Sequence, residues 1–175
     1  MIPVEKLILA SDVPDEDGLL EPILTSAEKH GTDIVWLQED LDLTLGEIHA
    51  ALFAPVDRGD ANKCCISMLV SLDDYDMLVT GDASKSAEKA LLESHPLHDQ
   101  ELLIVGHHGS RYACSGELLG SIGADTAVIS VGYNSFGHPT YETLERLAAY
   151  GYNIYRTDCN GTIEIRLGDQ NGETK

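Results

Sequence analysis

The stretch that decides the fold is Leu102-Leu103-Ile104-Val105-Gly106-His107-His108-Gly109-Ser110. An apolar run long enough for a short buried strand leads directly into two adjacent histidines with a glycine on either side. A lone histidine is often structural, but packing does not readily explain a histidine pair between glycines. The stretch therefore predicts a strand whose carboxyl end carries a functional site. There, one histidine could bind a metal ion while its neighbour faces substrate.

Two further polar clusters also follow predicted strands, at the positions where sites are commonly built. In Leu78-Val79-Thr80-Gly81-Asp82, the strand delivers a carboxylate at a glycine turn. Asp82 could bridge two metal ions, because its two oxygens can bind separate cations; the alternative is a helix N-cap. In Gly137-His138-Pro139, the histidine either faces substrate or is a loop residue before a helix that Thr140 could cap.

The order of the predicted elements favours an α/β sandwich, that is, an α+β arrangement of layers, over a doubly wound sheet. A hairpin of strands at 65–71 and 76–80 precedes Asp82. After Asp82, strands alternate with helices, with strands at 102–105 and 126–131 and helices at 115–122 and 141–150. Asn160-Gly161 favours a tight turn, so a closing hairpin of 153–155 and 162–167 is predicted. Residues 1–168 are expected to form one domain, followed by a frayed tail at 169–175.

Composition excludes one common class of nucleic-acid-binding protein. The 175 residues include 30 acidic and 11 basic side chains, a formal charge of −19. This charge repels phosphate backbones, so no basic patch is predicted, and a reaction on a phosphodiester would need bound metal ions to offset the field. The sequence contains no apolar run of about 18 residues that could span a bilayer. The interpretation is a soluble domain that makes no membrane contact itself.

Taken together, the motifs resemble the hydrolase domain of ComEC-type competence proteins. The resemblance extends over residues 4–167 and rests on Thr80-Gly81-Asp82, His107-His108-Gly109-Ser110, Gly137-His138-Pro139 and the stretch 155–161. In that family the domain has the metallo-β-lactamase αββα fold. It is attached to a polytopic protein of the bacterial cytoplasmic membrane that admits single-stranded DNA. The resemblance implies metal-dependent hydrolysis of phosphodiesters, with zinc or manganese as the divalent metal.

The resemblance also implies a role for each site residue. Asp82 matches the bridging aspartate, and His107 or His108 matches the late metal ligand. His107 is favoured as the ligand because it follows the strand and glycine directly. Asp82 and His107 are thus the predicted metal ligands. Asp82, His108 and His138, which matches an additional active-site histidine, are the predicted catalytic residues.

The chain departs from the family at its opening motif. The signature HxHxDH supplies most of the first metal shell, and this sequence contains no HxH. The chain therefore resembles the later two-thirds of the family's domain, truncated at the N-terminus. We expect weak or absent metal binding and activity. We also expect exposed sheet edges to favour association with the missing segment or with itself. The alternatives are a non-catalytic docking or assembly module that retains the fold, and a small-ester or thioester hydrolase of the same superfamily.

Overall fold

A computed structural model of the protein describes residues 3–11, 15, 18–55 and 64–167. Along these residues, five consecutive strands between Asp33 and Val79 precede an alternation of strands and helices, and a 3-10 turn lies at Gly106–Gly109. The strands are β1 (Lys6–Ala10), β2 (Asp33–Leu37), β3 (Leu41–Leu45), β4 (Ile48–Phe53), β5 (Ser67–Leu72), β6 (Tyr75–Val79), β7 (Leu102–Ile104), β8 (Thr126–Ile129) and β9 (Asn153–Arg156). The helices are α1 (Leu20–His30), α2 (Lys85–Ser94), α3 (Gly116–Ile122), α4 (Tyr141–Ala149) and α5 (Thr157–Asn160).

The larger sheet has two halves of different character. Its seven strands lie in sequence order from β3 to β9. Strands β3 to β6 pair antiparallel, whereas β6 to β9 pair parallel. Helices α2, α3 and α4 are the crossovers between the parallel strands, as parallel pairing requires. This parallel half is the α/β alternation that the sequence predicts after Asp82.

Two apolar clusters define the layers. Leu118 and Leu147 of the crossover helices pack with Leu78, Leu103 and Ile129 on one face of the larger sheet. On the opposite face, a second cluster joins Leu37 of β2 to Ala50 and Leu52 of β4. The parallel pair β1–β2 therefore forms a small second sheet, with α1 beside it. The layers follow the order helix, sheet, sheet, helix, which confirms the predicted sandwich.

The predicted closing hairpin is wrong. After β9 the chain enters the short helix α5, and residues 162–167 form no strand. The Asn160 side chain accepts the backbone N–H of Arg156 at 2.9 Å, and the Gly161 N–H donates to the Thr157 carbonyl at 3.1 Å. Because an asparagine side chain can bond to nearby backbone, this local helical turn competes with a hairpin.

Two further predictions concern the extent of the domain. The predicted frayed tail at 169–175 lies outside the described residues, and a single domain over 1–168 stays a prediction. Over the described part of the chain, no helix is both long enough and apolar enough to cross a membrane.

Candidate active site

The predicted site residues lie on loops at one edge of the larger sheet. Because β6, β7, β8 and β9 are parallel neighbours, their carboxyl ends share this edge. Asp82 follows β6, His107 and His108 follow β7, and His138 lies between β8 and α4. We call these connections the carboxyl-edge loops. The strand order thus brings together three clusters that are far apart in sequence, as expected for a site of an α/β sheet.

The loop after β6 and the loop after β7 are in direct contact. The His107 backbone N–H donates to the Gly81 carbonyl at 3.0 Å. A Cβ atom at Gly106 would lie 2.7 Å from the Thr80 hydroxyl oxygen and 2.9 Å from the Gly81 carbonyl oxygen. Only glycine fits between these atoms, so the glycine in the histidine motif is required for the two loops to meet.

Both histidines of the pair have left-handed backbone conformations. His107 has φ 48° and ψ 43°, and His108 has φ 51° and ψ 26°. For a non-glycine residue this region costs about 1–3 kcal/mol, and such residues concentrate at functional sites. The Ser110 N–H donates to the His107 carbonyl at 2.9 Å and closes the turn. As a result, the two imidazoles have different neighbours: His138 for His107 and Ser130 for His108.

A backbone carbonyl defines the tautomer of His108. Its Nδ1 lies 2.6 Å from the Ser130 carbonyl oxygen, which can only accept a hydrogen bond. Nδ1 therefore carries the proton, and in the neutral ring Nε2 keeps its lone pair. Metal-binding histidines commonly have this arrangement, and so do general bases. The preference for His107 over His108 as metal ligand stays a prediction.

His138 completes the cluster. Its ring meets the His107 ring edge-on, with centroids 5.6 Å apart and planes at 74°. Desolvation lowers the pKa of His138, and electrostatic interactions with His107, His108 and Arg111 lower it further, whereas Asp82 opposes the shift. The buried Nδ1 of His138 has no hydrogen-bond partner among the described residues. His138 is therefore a neutral imidazole near pH 7, within electrostatic reach of the other predicted site residues.

Comparisons with known proteins identify relatives of the chain and a solved structure with a similar fold. No protein-family model matches the chain. Recombination protein 2 of Haemophilus influenzae is 30% identical over 99% of this chain and 24% of its own length. Competence protein ComA of Neisseria gonorrhoeae is 28% identical over 94% of this chain and 26% of its own length. ComE operon protein 3 of Bacillus subtilis is 28% identical over 87% of this chain and 20% of its own length.

The chain is a homologue of the ComEC-type competence proteins. It spans a quarter or less of two of these relatives and 26% of the third. The crystal structure of the metallo-β-lactamase fold protein YhfI from Bacillus subtilis superimposes with a TM-score of 0.52 at 13% identity. It covers 88% of this chain and 74% of YhfI. The fold is therefore that of the metallo-β-lactamases, as the resemblance implied.

The loop that carries His138 is held by Asn134, a residue that the sequence motifs did not single out. The Asn134 amide nitrogen donates to the Gly132 and His138 carbonyls at 2.9 and 2.8 Å. Its oxygen accepts the N–H groups of Phe136 and His138 at 3.1 and 3.0 Å. Asparagine is a common turn residue, so the sequence signal indicated a turn but not this role. We call residues 132–138 the aromatic loop.

Three threonines tie the aromatic loop and α4 to the rest of the site. The Thr157 hydroxyl accepts the Val131 N–H at 2.8 Å and donates to the Val131 carbonyl at 2.7 Å. The Thr143 hydroxyl donates to the Ser110 carbonyl at 2.8 Å. Thr140 occupies the N-cap position of α4 as predicted, but its side chain accepts no capping bond and points towards the Gly109 carbonyl. Thr140 therefore stabilises the contact between loops rather than the helix end.

Beneath the histidine turn lies a buried carboxylate. Glu88 of α2 is fully buried, and its oxygens accept the N–H groups of Cys114 and Ser115 at 2.5 and 2.7 Å. Burial raises its pKa. The Gly106 N–H bonds to the Cys114 sulfur, and burial raises the pKa of that thiol to about 12, so it stays protonated and is a poor nucleophile. The sequence did not single out Glu88, because glutamate on a helix is usually exposed and its burial depends on the tertiary structure.

The metallo-β-lactamase fold suggests divalent metals, but the described residues do not complete a metal centre. All seven histidines of the sequence are among these residues. Even so, nowhere in the described ranges do three histidine, cysteine, aspartate or glutamate side chains come together to hold an ion. A catalytic metal needs about three protein ligands and an open position. Asp82 and His107 as metal ligands therefore stay a prediction.

Proposed function

We propose that this chain is the substrate-facing part of a phosphodiester-hydrolysing domain that acts on nucleic acid during DNA uptake. The observation that carries the proposal is the convergence of Asp82, His108 and His138 on the carboxyl-edge loops. The competence homologues and the metallo-β-lactamase fold support it. The parent protein is proposed to be attached to the bacterial cytoplasmic membrane.

The histidines suit the proton transfers of hydrolysis. With Nδ1 bonded to the Ser130 carbonyl, the exposed His108 can accept a proton at Nε2 from a water molecule that attacks phosphorus. Neutral His138, beside His107, can hold a phosphate oxygen or the attacking water through Nε2, since its Nδ1 is buried, without adding a full charge. Asp82, exposed at the glycine turn, lies within electrostatic reach of His138 and adds a negative charge to the cluster, which favours a protonated histidine there.

We propose zinc or manganese as the metal only for a domain in which another segment supplies an HxHxDH signature. For the chain alone we expect weak or absent hydrolysis, because the described residues offer at most an incomplete metal shell. The same observation supports the second candidate, a non-catalytic docking or assembly module that keeps the fold.

Reconstitution separates the two candidates. The chain is mixed with a synthetic segment carrying HxHxDH, and cleavage of a labelled single-stranded oligonucleotide is measured with Mn²⁺ or Zn²⁺. Asp82→Ala and His108→Gln should each lower the rate by about 100-fold or more, as expected for lost acid–base or electrostatic catalysis. His98→Gln, an exposed histidine away from the carboxyl-edge loops, is the matched control and should retain activity.

Equal rates in Asp82→Ala and the wild type would contradict the proposed site. If the mixture forms a folded complex that binds metal but cleaves nothing, the non-catalytic module replaces the enzyme as the proposed function.

A further inference from the structure

The aromatic loop presents two large rings to solvent beside the candidate site. Tyr133 is 107% exposed and Phe136 is 80% exposed. A poorly ordered loop could expose such rings by chance, but this loop is fastened by the four hydrogen bonds of the Asn134 side chain. The rings are therefore held outward by a preorganised backbone, which lowers the entropic cost of binding a ligand.

Both rings line a cavity that reaches the proposed catalytic histidines. The cavity has a volume of about 530 Å³ and includes His108, His138 and Thr157 in its walls. Small-molecule sites are commonly about 300–1,000 Å³. The Phe136 ring lies nearly parallel to the His138 ring, at 22° with centroids 6.1 Å apart. A flat ligand that stacks on these rings would thus lie next to the groups proposed to act on phosphorus.

The charge of the chain disfavours contacts with phosphate groups at this position. A formal charge of −19 opposes the approach of phosphates. Arg111, whose charge is felt at His138, also lies 3.9 Å from the Glu142 carboxylate. Binding of a nucleic acid here must therefore draw on contacts that acidic charge does not weaken. Stacking of bases on aromatic rings is such a contact, and it tolerates any sequence because every base has a flat face.

We propose that Tyr133 and Phe136 form a stacking site for unpaired nucleobases of the substrate. Bases inside a duplex are already stacked on one another and cannot reach such rings without leaving the helix. The site therefore selects single-stranded nucleic acid over duplex. This inference rests on the proposed function, because it takes the substrate to be a nucleic acid.

Binding of a short labelled oligothymidylate, followed by fluorescence anisotropy without metal, tests the stacking site. Tyr133→Ala and Phe136→Ala should each weaken binding by about 5- to 150-fold, the range of one lost base–aromatic stack. Tyr133→Phe keeps the ring and should bind like the wild type. Phe136→Leu keeps apolar area but loses the ring, and should bind like Phe136→Ala. Tyr141→Ala, an exposed tyrosine outside the cavity, is the matched control.

Competitors identify the occupant. An abasic oligonucleotide of equal length and a blunt duplex should compete poorly. Equal competition by the abasic chain, or full affinity in Phe136→Leu, would overturn the stacking site. So would a wild-type dimer that Tyr133→Ala dissociates without any loss of oligonucleotide affinity, since the occupant would then be a second copy of the chain.

Failure of the stacking site can be distinguished experimentally from failure of the proposed hydrolase function. In the reconstituted mixture, Tyr133→Ala should raise KM for a base-bearing oligonucleotide and leave cleavage of the abasic chain unchanged. If neither substrate is cleaved, the hydrolase proposal fails while the anisotropy measurement still decides the stacking site.

Discussion

The carboxyl-edge loops and the small sheet β1–β2 with α1 differ sharply in how they are supported. Below the loops, Leu78, Leu103 and Leu118 are completely buried. Beside the small sheet, Val4 is 56% exposed and Ile23 is 44% exposed, and both line an apolar cavity of about 690 Å³. The half of the molecule that carries the candidate site is packed like a domain interior, whereas the small sheet leaves apolar side chains open.

Strand pairing explains the difference. In the larger sheet, β6, β7 and β8 each have a neighbour on both sides, and helices cover them. Within the described residues the small sheet has two strands, and a two-stranded sheet is only marginally stable without packing. Its support comes from Leu37 against Ala50 and Leu52. The comparison teaches that the geometry of the site depends on the parallel half and little on the small sheet.

The largest effect should come from truncating the core of the parallel half. Leu118→Ala should lower the free energy of unfolding by about 2–5 kcal/mol, because a fully buried leucine leaves a cavity. Ile23→Ala, in half-exposed α1, is the matched control and should cost about 1 kcal/mol or less. Urea denaturation followed by circular dichroism measures the free energy of unfolding of both variants. Similar losses in the two variants would contradict the difference in packing between the two regions.

A smaller loss is expected from Glu88→Leu. The variant leaves the N–H groups of Cys114 and Ser115 without acceptors, which should cost about 1–3 kcal/mol. Glu93→Leu, on the exposed side of the same helix, should change stability by about 0.5 kcal/mol or less. A Glu88→Leu protein as stable as the wild type would show that the buried carboxylate does not hold this part of the fold.

The Glu88 variant also has a pH signature. Burial raises the pKa of Glu88, so the folded protein holds this proton more tightly than the unfolded chain. The resulting stabilisation is fully present below the ordinary pKa of 4.5 and is lost as the pH rises through the raised pKa. The difference in stability between wild type and Glu88→Leu should therefore narrow as the pH increases across that window.

The smallest effect on stability should come from Asn134→Asp, which loses the two donated bonds to Gly132 and His138. We expect a loss of about 1 kcal/mol, because the loop is largely exposed. The His138 ring signals should nevertheless shift in NMR spectra, since the bonds that place this residue change. Asn153→Asp, which loses one exposed bond to the Asp125 carbonyl, is the matched control and should leave those signals in place.

Local patterns predicted much of the parallel half. The apolar run before Gly106, and the helices at 115–122 and 141–150, correspond to β7, α3 and α4. These elements depend on side-chain periodicity and on residues close in sequence, which one chain displays directly. Asn160-Gly161 misled the prediction because a helical turn and a hairpin use similar residues, and the choice between them depends on what packs nearby.

By itself, the sequence determined which residues follow buried strands at glycine turns, namely Asp82, the His107–His108 pair and His138. Apolar runs and glycines act locally, so their order along the chain was enough. The tertiary structure alone decided which of these loops touch, because strand order and register bring distant segments together. The His108 bond to Ser130 and the Cys114 bond to Glu88 join residues 22 and 26 positions apart. No local pattern specifies contacts over such separations. The orientation of the histidine rings and the burial of Glu88 therefore appear only in the folded chain.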